Sequence, residues 1–236
     1  MAKVFIGVGH GGKDSGAVGY LVEKEVNLVE ALACRDFLEA HGVQVLMSRT
    51  SDEDDLLSDE IKECNEFAPD LAADIHNNTG GGDGFEAYYH YKGGTSKTLA
   101  QNIEAEVKAI GQNSRGCKAR LNSSGTDYYG FIRKTACPAV IVEGCFVDNE
   151  ADVQIADSLE EQKAFGVAYA KGILKTLGIS IKENPEQSMP SSNAKYYVQV
   201  GAYESKENAE KQLQKAKDAG FTDAFIRVVA QTNSRT

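Results

Sequence analysis

Four residues of this 236-residue chain have types and placements suited to joint chemistry: His10, Glu23, His76 and Glu143. His10 follows the run Val4, Phe5, Ile6, Val8; His76 follows Leu71 to Ile75; Glu143 follows Ala139 to Val142. Each run reads as a short interior strand, and Glu23 stands where a helical pattern begins. Two imidazoles, one carboxylate and one open position make the ligand set of hydrolytic zinc centres. Such a centre brings the pKa of its bound water towards about 7 and polarises a carbonyl, while a second carboxylate moves the proton. Each residue also has an ordinary reading. A histidine in a glycine loop can serve only the loop's hydrogen bonds, Glu23 can be a first-turn glutamate favoured by the helix dipole, and His76 can cap a strand. Glu143 resists such a reading most, because a carboxylate following Ala-Val-Ile-Val would be buried without a partner.

The elements that would position these groups alternate in type. Glycines 7, 9, 11, 12, 16 and 19 surround His10 and open conformations closed to other residues. A helix over 23–41 follows, ending at His41-Gly42, then a strand over Val43–Met47, a short helix through Ile61 and Phe67, and a third strand over Leu71–Ile75. Phe85–Tyr91 reads as a fourth strand, 96–110 as an amphipathic helix and Gly111–Asp127 as loop. Phe131-Ile132 and Ala139–Val142 read as further strands, before a long helix over 159–177. Strands alternating with helices predict an α/β domain: an open, largely parallel twisted sheet with helices on both faces. Ligand sites in such sheets form outside the carboxyl ends of the strands, the rim on which the four residues converge.

Composition narrows the function classes. The 35 acidic against 25 basic residues give a net charge of −10 with no basic stripe, which argues against a nucleic-acid partner. There is no run of 18 apolar residues, so no membrane span is expected. The chain enters its first strand directly from Met1, without a signal-peptide pattern, so cytoplasmic synthesis is the expectation. Five cysteines with no CxxC pair argue against a disulfide framework or a zinc knuckle, and Cys145 reads as a packed thiol.

Residues 4–177 resemble the zinc-dependent N-acetylmuramoyl-L-alanine amidases of bacterial autolysins and phage endolysins. The likeness is carried by GHGGKDSGAVG (9–19), EKEVNL (23–28), DLAADIHNN (70–78) and PAVIVEGCFVDN (138–149), in the family's order. The resemblance implies one zinc ion held by His10, Glu23 and His76, with Glu143 as catalytic acid/base and Asn78 as a substrate-binding candidate. Glu23, and not its neighbour Glu25, matches the family's glutamate. The implied substrate is peptidoglycan, cut between the lactyl group of N-acetylmuramic acid and L-alanine. The alternatives are a zinc peptidase acting within the stem peptide and an inactive wall-binding module. Two positions depart from the family's pattern: Glu60 stands at a frequent arginine, and Asp74 replaces the serine of the usual Ser-Ile-His. No helix is inserted between Gly84 and Ser96, so an open site is expected.

The expected domains are a catalytic domain over 1–178, a linker over 179–194 and a small βαβ piece over 195–236. The linker carries ENPEQSMPSSNA, with two prolines and three serines. The last piece, with YYVQVGAY, Asn208-Ala209 and Gly220-Phe221, resembles a single sporulation-related (SPOR) repeat. In that family two repeats build a sheet that binds glycan strands, so a homodimer pairing two single repeats is one way to complete it. An enzyme of the wall without an export signal is expected to reach its substrate after lysis, through a holin or mother-cell breakdown.

Overall fold

The apolar runs become strands because each can be buried on both sides, and a computed structural model of the chain places them at the centre of one sheet. The structure describes residues 1–181 and 205–218. Six strands, β1 (Lys3–Val8), β2 (Gln44–Met47), β3 (Leu71–Asn78), β4 (Phe85–Tyr89), β5 (Ser114–Lys118) and β6 (Ala139–Phe146), lie in the order β2-β1-β3-β6-β4-β5. All neighbours are parallel except β4 and β6, which are antiparallel. The sheet is thus largely parallel, as the alternation of elements predicts.

Helices cover both faces. Helices α1 (Glu23–Ala40), α3 (Thr95–Ala109) and α6 (Leu159–Leu177) pack on one face, burying Val4, Ile6, Val8, Ala73, Ile75, Val140 and Val142 among Cys34, Leu38, Ile103, Phe165 and Ile173. The opposite face buries Phe5, Ala72, Ala139 and Ile141 under Ile61 and Cys64 of α2 (Leu57–Phe67) and Phe131 and Ile132 of α4 (Gly130–Lys134). Each large apolar side chain so buried stabilises the fold by roughly 1.5–3 kcal/mol relative to exposure. Helix α6 is bounded by local chemistry: Ser158 and Glu161 form a reciprocal capping box, and Gly178, at φ 69°, ends it in the left-handed conformation. A short helix α5 (Glu150–Val153) starts at Asn149, whose side chain accepts from the Ala151 and Asp152 amides.

Three sequence expectations need correction. Phe131 and Ile132 belong to helix α4, not to a strand. Residues 114–118, expected as loop, form the edge strand β5. Strands β3 and β6 also run past their apolar cores, to Asn78 and Phe146, so His76 and Glu143 lie within strands and not beyond them.

The chain divides into two units, Met1–Glu183 and Asn184–Thr236. In the second, helix α7 (Lys206–Asp218) falls within the βαβ piece expected over 195–236. The two flanking strands expected there, and most of the expected linker, lie outside the described residues.

Candidate metal centre

Pairing register puts the polar groups together. Directly paired residues of neighbouring strands project to the same face. His76 pairs with Glu143, Glu143 pairs with Glu86, and Gly7 pairs with Asp74. One face at one end of the sheet therefore carries His76, Glu143, Glu86 and Asp74 in adjacent strands. His10 and Glu23 reach this edge from the loop after β1 and the first turn of α1.

The loop is held in shape from beneath. Arg49, 2% exposed, bonds the Val8 carbonyl from Nε at 3.1 Å and those of Gly9 and Lys24 from Nη2 at 3.3 and 2.8 Å. Its Nη1 reaches the Ser51 carbonyl at 3.0 Å. A planar guanidinium can satisfy several carbonyls of a turning backbone in this way where a lysine cannot. His10 itself takes φ 61°, a left-handed conformation that costs a residue with a β-carbon about 1–2 kcal/mol. The surrounding bonds impose it, and it turns the imidazole towards Glu23.

Glu23 lies between the two histidines. Its Oε2 is 3.3 Å from His10 Nε2 and its Oε1 is 3.1 Å from His76 Nδ1. The Ala17 and Asn77 amides donate to the same carboxylate at 2.8 and 3.2 Å. The two imidazoles are 5.1 Å apart at 85°, and one ligand atom from each of the three residues falls within 4.8 Å of the others. Burial works to raise the Glu23 carboxyl, but the hydrogen bonds from His10 and His76 outweigh it and hold the group well below the usual carboxylate range. The hydrogen bond to Glu23 in turn raises His10. Glu25, by contrast, points to solvent. Two neutral-capable imidazoles and a buried anion converging on one point fit a borderline-soft divalent cation, three protein donors being one fewer than a tetrahedral centre takes.

Glu143, one strand over from His76, is pushed up to about 7 by burial; the charge of His76 opposes this, and those of Glu23, Asp74 and Glu86 add to it. Its neighbour Glu86 is surrounded by donors: Lys118 Nζ at 2.8 Å, Tyr88 Oη at 2.9 Å and Arg115 Nε. Burial raises Glu86 too, but these donors lower it overall, so it stays charged. Two adjacent carboxyl groups therefore hold protons at different pH, as a proton-shuttling residue beside a fixed anion requires. Asn78 ends β3, and its side-chain oxygen accepts from the Thr79 amide at 2.8 Å. It is outside the cluster formed by His10, Glu23 and His76.

Sequence reasoning missed the residues that hold His10, Glu23 and His76 in place. Asn77, 2% exposed, gives its backbone amide to Glu23 and its side chain to Asn27 at 2.9 Å and Glu30 at 3.3 Å, and accepts from the Cys145 amide at 2.9 Å. Asn27 reaches the Gly9 carbonyl at 2.9 Å, linking α1 to the glycine loop. Asp14 caps His10 Nδ1 at 2.8 Å. A buried amide or arginine in an otherwise apolar setting was the available signal, but only the fold gives it partners.

The chain matches the family model for N-acetylmuramoyl-L-alanine amidase over residues 4–175 and belongs to that family, whose members are generally zinc-dependent. Residues 192–236 match the SPOR domain. The chain is 35% identical, over 231 residues, to a sporulation-specific N-acetylmuramoyl-L-alanine amidase of Bacillus subtilis (strain 168), spanning 96% of this chain and 85% of that one. It is 34% identical to the N-acetylmuramoyl-L-alanine amidase CwlM of Bacillus licheniformis over the same shares. Among solved structures, the catalytic domain of CwlV, an N-acetylmuramoyl-L-alanine amidase from Bacillus (Paenibacillus) polymyxa var. colistinus, superposes with a TM-score of 0.68 at 29% identity. That likeness covers 76% of this chain and 100% of the other.

Proposed function

We propose that the chain is a zinc amidase that hydrolyses the amide between the lactyl group of N-acetylmuramic acid and L-alanine in peptidoglycan. The observation that carries this reading is the convergence of His10, Glu23 and His76 within 4.8 Å, beside a strand that offers Glu143 in register with His76. His10, Glu23 and His76 would hold one zinc ion, which when bound supplies a Lewis acid and an acidified water.

The chain's own groups do the rest. Glu143 takes a proton from the attacking water and returns it to the leaving amine of L-alanine, a role suited to a carboxyl near 7. Glu86, fixed as an anion by Lys118, Arg115 and Tyr88, keeps negative charge beside Glu143 and favours its protonated form between the two transfers. Asn77 and Ala17 hold Glu23 through backbone amides, so the ligand carboxylate does not swing when substrate arrives.

Residues 1–178 act as the catalytic domain, 179–194 as linker, and 195–236 bring the enzyme to glycan strands, a reading supported by the SPOR match. Two chains pairing these repeats would double that surface. Asn78, at the end of β3 near the ligands, is the candidate to meet the substrate backbone. Release by lysis is the route this reading assigns to the wall. Among the described residues no helix is long and apolar enough to cross a membrane.

The test is lysis of purified walls with metal-stripped protein, zinc-restored protein and the variant Glu143→Gln. Loss on stripping, recovery with zinc, and a Glu143→Gln protein that binds zinc but does not lyse are expected. Lysis by Glu143→Gln at the parent's rate would remove Glu143 from the chemistry.

A further inference from the structure

Two acidic side chains, Glu60 of α2 and Asp74 of β3, lie against each other beside His76. Asp74 precedes His76 by two residues on the same face of β3, and its Oδ2 is 3.3 Å from His76 Nε2. The other ring nitrogen, Nδ1, is the one turned to Glu23. Each ring nitrogen thus faces a carboxylate, which only accepts hydrogen bonds; Nδ1 is the one turned to the cluster of Glu23 and His10, so a metal there would replace the Nδ1 proton while Asp74 goes on accepting from Nε2–H.

Asp74 is itself fixed. It is 3% exposed, and Glu60, 7% exposed, reaches it from α2. A β-carbon built on Gly7 would stand 2.0 Å from Glu60 Oε1 and 2.6 Å from Asp74 Oδ1, so the two oxygens converge over a residue that has no side chain to separate them. Neither oxygen has a hydrogen-bond donor from any other group among the described residues. Burial, and then the neighbouring charge of Asp74, push the Glu60 carboxyl well above the usual carboxylate range, so Glu60 has a proton to give to Asp74.

We propose that Asp74 is a positioning residue of the metal centre: it holds the Nε2–H of His76, so presenting Nδ1 towards Glu23 and the metal, and is itself braced by Glu60 across Gly7. The sequence Asp-Ile-His thus builds into one strand a carboxylate–histidine–metal relay, with the carboxylate and the imidazole two residues apart. This inference rests on the zinc reading of the site.

The experiment measures zinc affinity of the full chain by competition with a chromophoric chelator, alongside nitrogen-15 spectra of the histidines in zinc-free and zinc-loaded protein. The variants are Asp74→Asn, Asp74→Ser and Glu60→Gln, each checked for folding by circular dichroism. Groups that accept from the free ring N–H of a metal-binding histidine contribute about 10–100-fold to affinity, so that loss is expected in Asp74→Asn, together with a changed His76 nitrogen signature. Asp74→Ser, which leaves a shorter acceptor, should fall by a similar factor and serves if the asparagine variant does not fold. Glu60→Gln, whose amide N–H can still donate to Asp74, should stay within about threefold of the parent. A folded Asp74 variant with the parent's zinc affinity and the parent's His76 signature overturns the inference. A parent chain that binds no zinc at all overturns instead the reading on which it rests.

Discussion

Glu23 Oε1 lies 3.1 Å from His76 Nδ1, across 53 residues of chain, while the side chain of Glu25, two residues on in the same helix, faces solvent. Glu23→Ala should therefore abolish stoichiometric zinc binding, leaving two histidines without their shared anion. Glu25→Ala should retain it and change stability by no more than about 0.5 kcal/mol, as an exposed substitution. Metal content by mass spectrometry of the two purified variants decides between them.

Gly9 has a steric role in the same site. A β-carbon on it would stand 2.2 Å from His76 Cε1 and 2.4 Å from Nδ1. Gly9→Ala must push the imidazole away or shift β1, an overpacking that typically costs about 1–3 kcal/mol. A lower melting temperature together with weaker zinc binding is expected, and parent-like values in both would show that the ring has room the structure does not give it.

Beneath the ligands, Glu30 is fully buried against Asn77 and Tyr169, and burial pushes its carboxyl up to about 8. Its ordinary value is 4.5, so between these limits the folded chain keeps a proton that the unfolded chain loses. A raised carboxyl contributes its stability at low pH and loses it as pH rises through the folded value. The slope is at most about 1.4 kcal/mol per pH unit across that window. Glu30→Gln should remove this slope. Denaturant melts at pH 5 to 9 should show parent and variant diverging up to about pH 8 and running parallel above it.

Glu143 must be ionised to accept a proton from water, and burial places its carboxyl near 7. Activity on walls should rise with pH along an acid limb at or below that value, since a bound dication lowers the pKa of a neighbouring acid. Lys118→Met, which strips a cation from Glu86 at 2.8 Å, should move the limb. An unchanged limb would mean that Glu143 and Glu86 are not coupled in the working enzyme.

How much of this was legible in the sequence depended on chain distance. The strand runs at 4–8, 71–75 and 139–142 were plain because they are short, largely apolar and buried throughout. Phe131-Ile132 misled because two adjacent apolar residues have no period: in helix α4 both are buried in one cluster with Phe5 and Ile141, as they would be from a strand. Strand β5, SRGCK, has almost no apolar content because it is an edge strand paired only with β4. The ligand residues stood out through the types and glycines around them. Arg49, Asn77 and Glu30 did not, and Glu60 and Asp74 stood out singly but not as neighbours, since only the fold brings such partners near.

The central claim is tested most directly by mass analysis of the products released from purified peptidoglycan, with and without a chelator. The account predicts stem peptides with a free L-alanine amine and glycan strands with an intact lactyl carboxylate, both absent when metal is removed. Cleavage inside the stem peptide with the lactyl–alanine amide intact, or the same products in the presence of chelator, would contradict it.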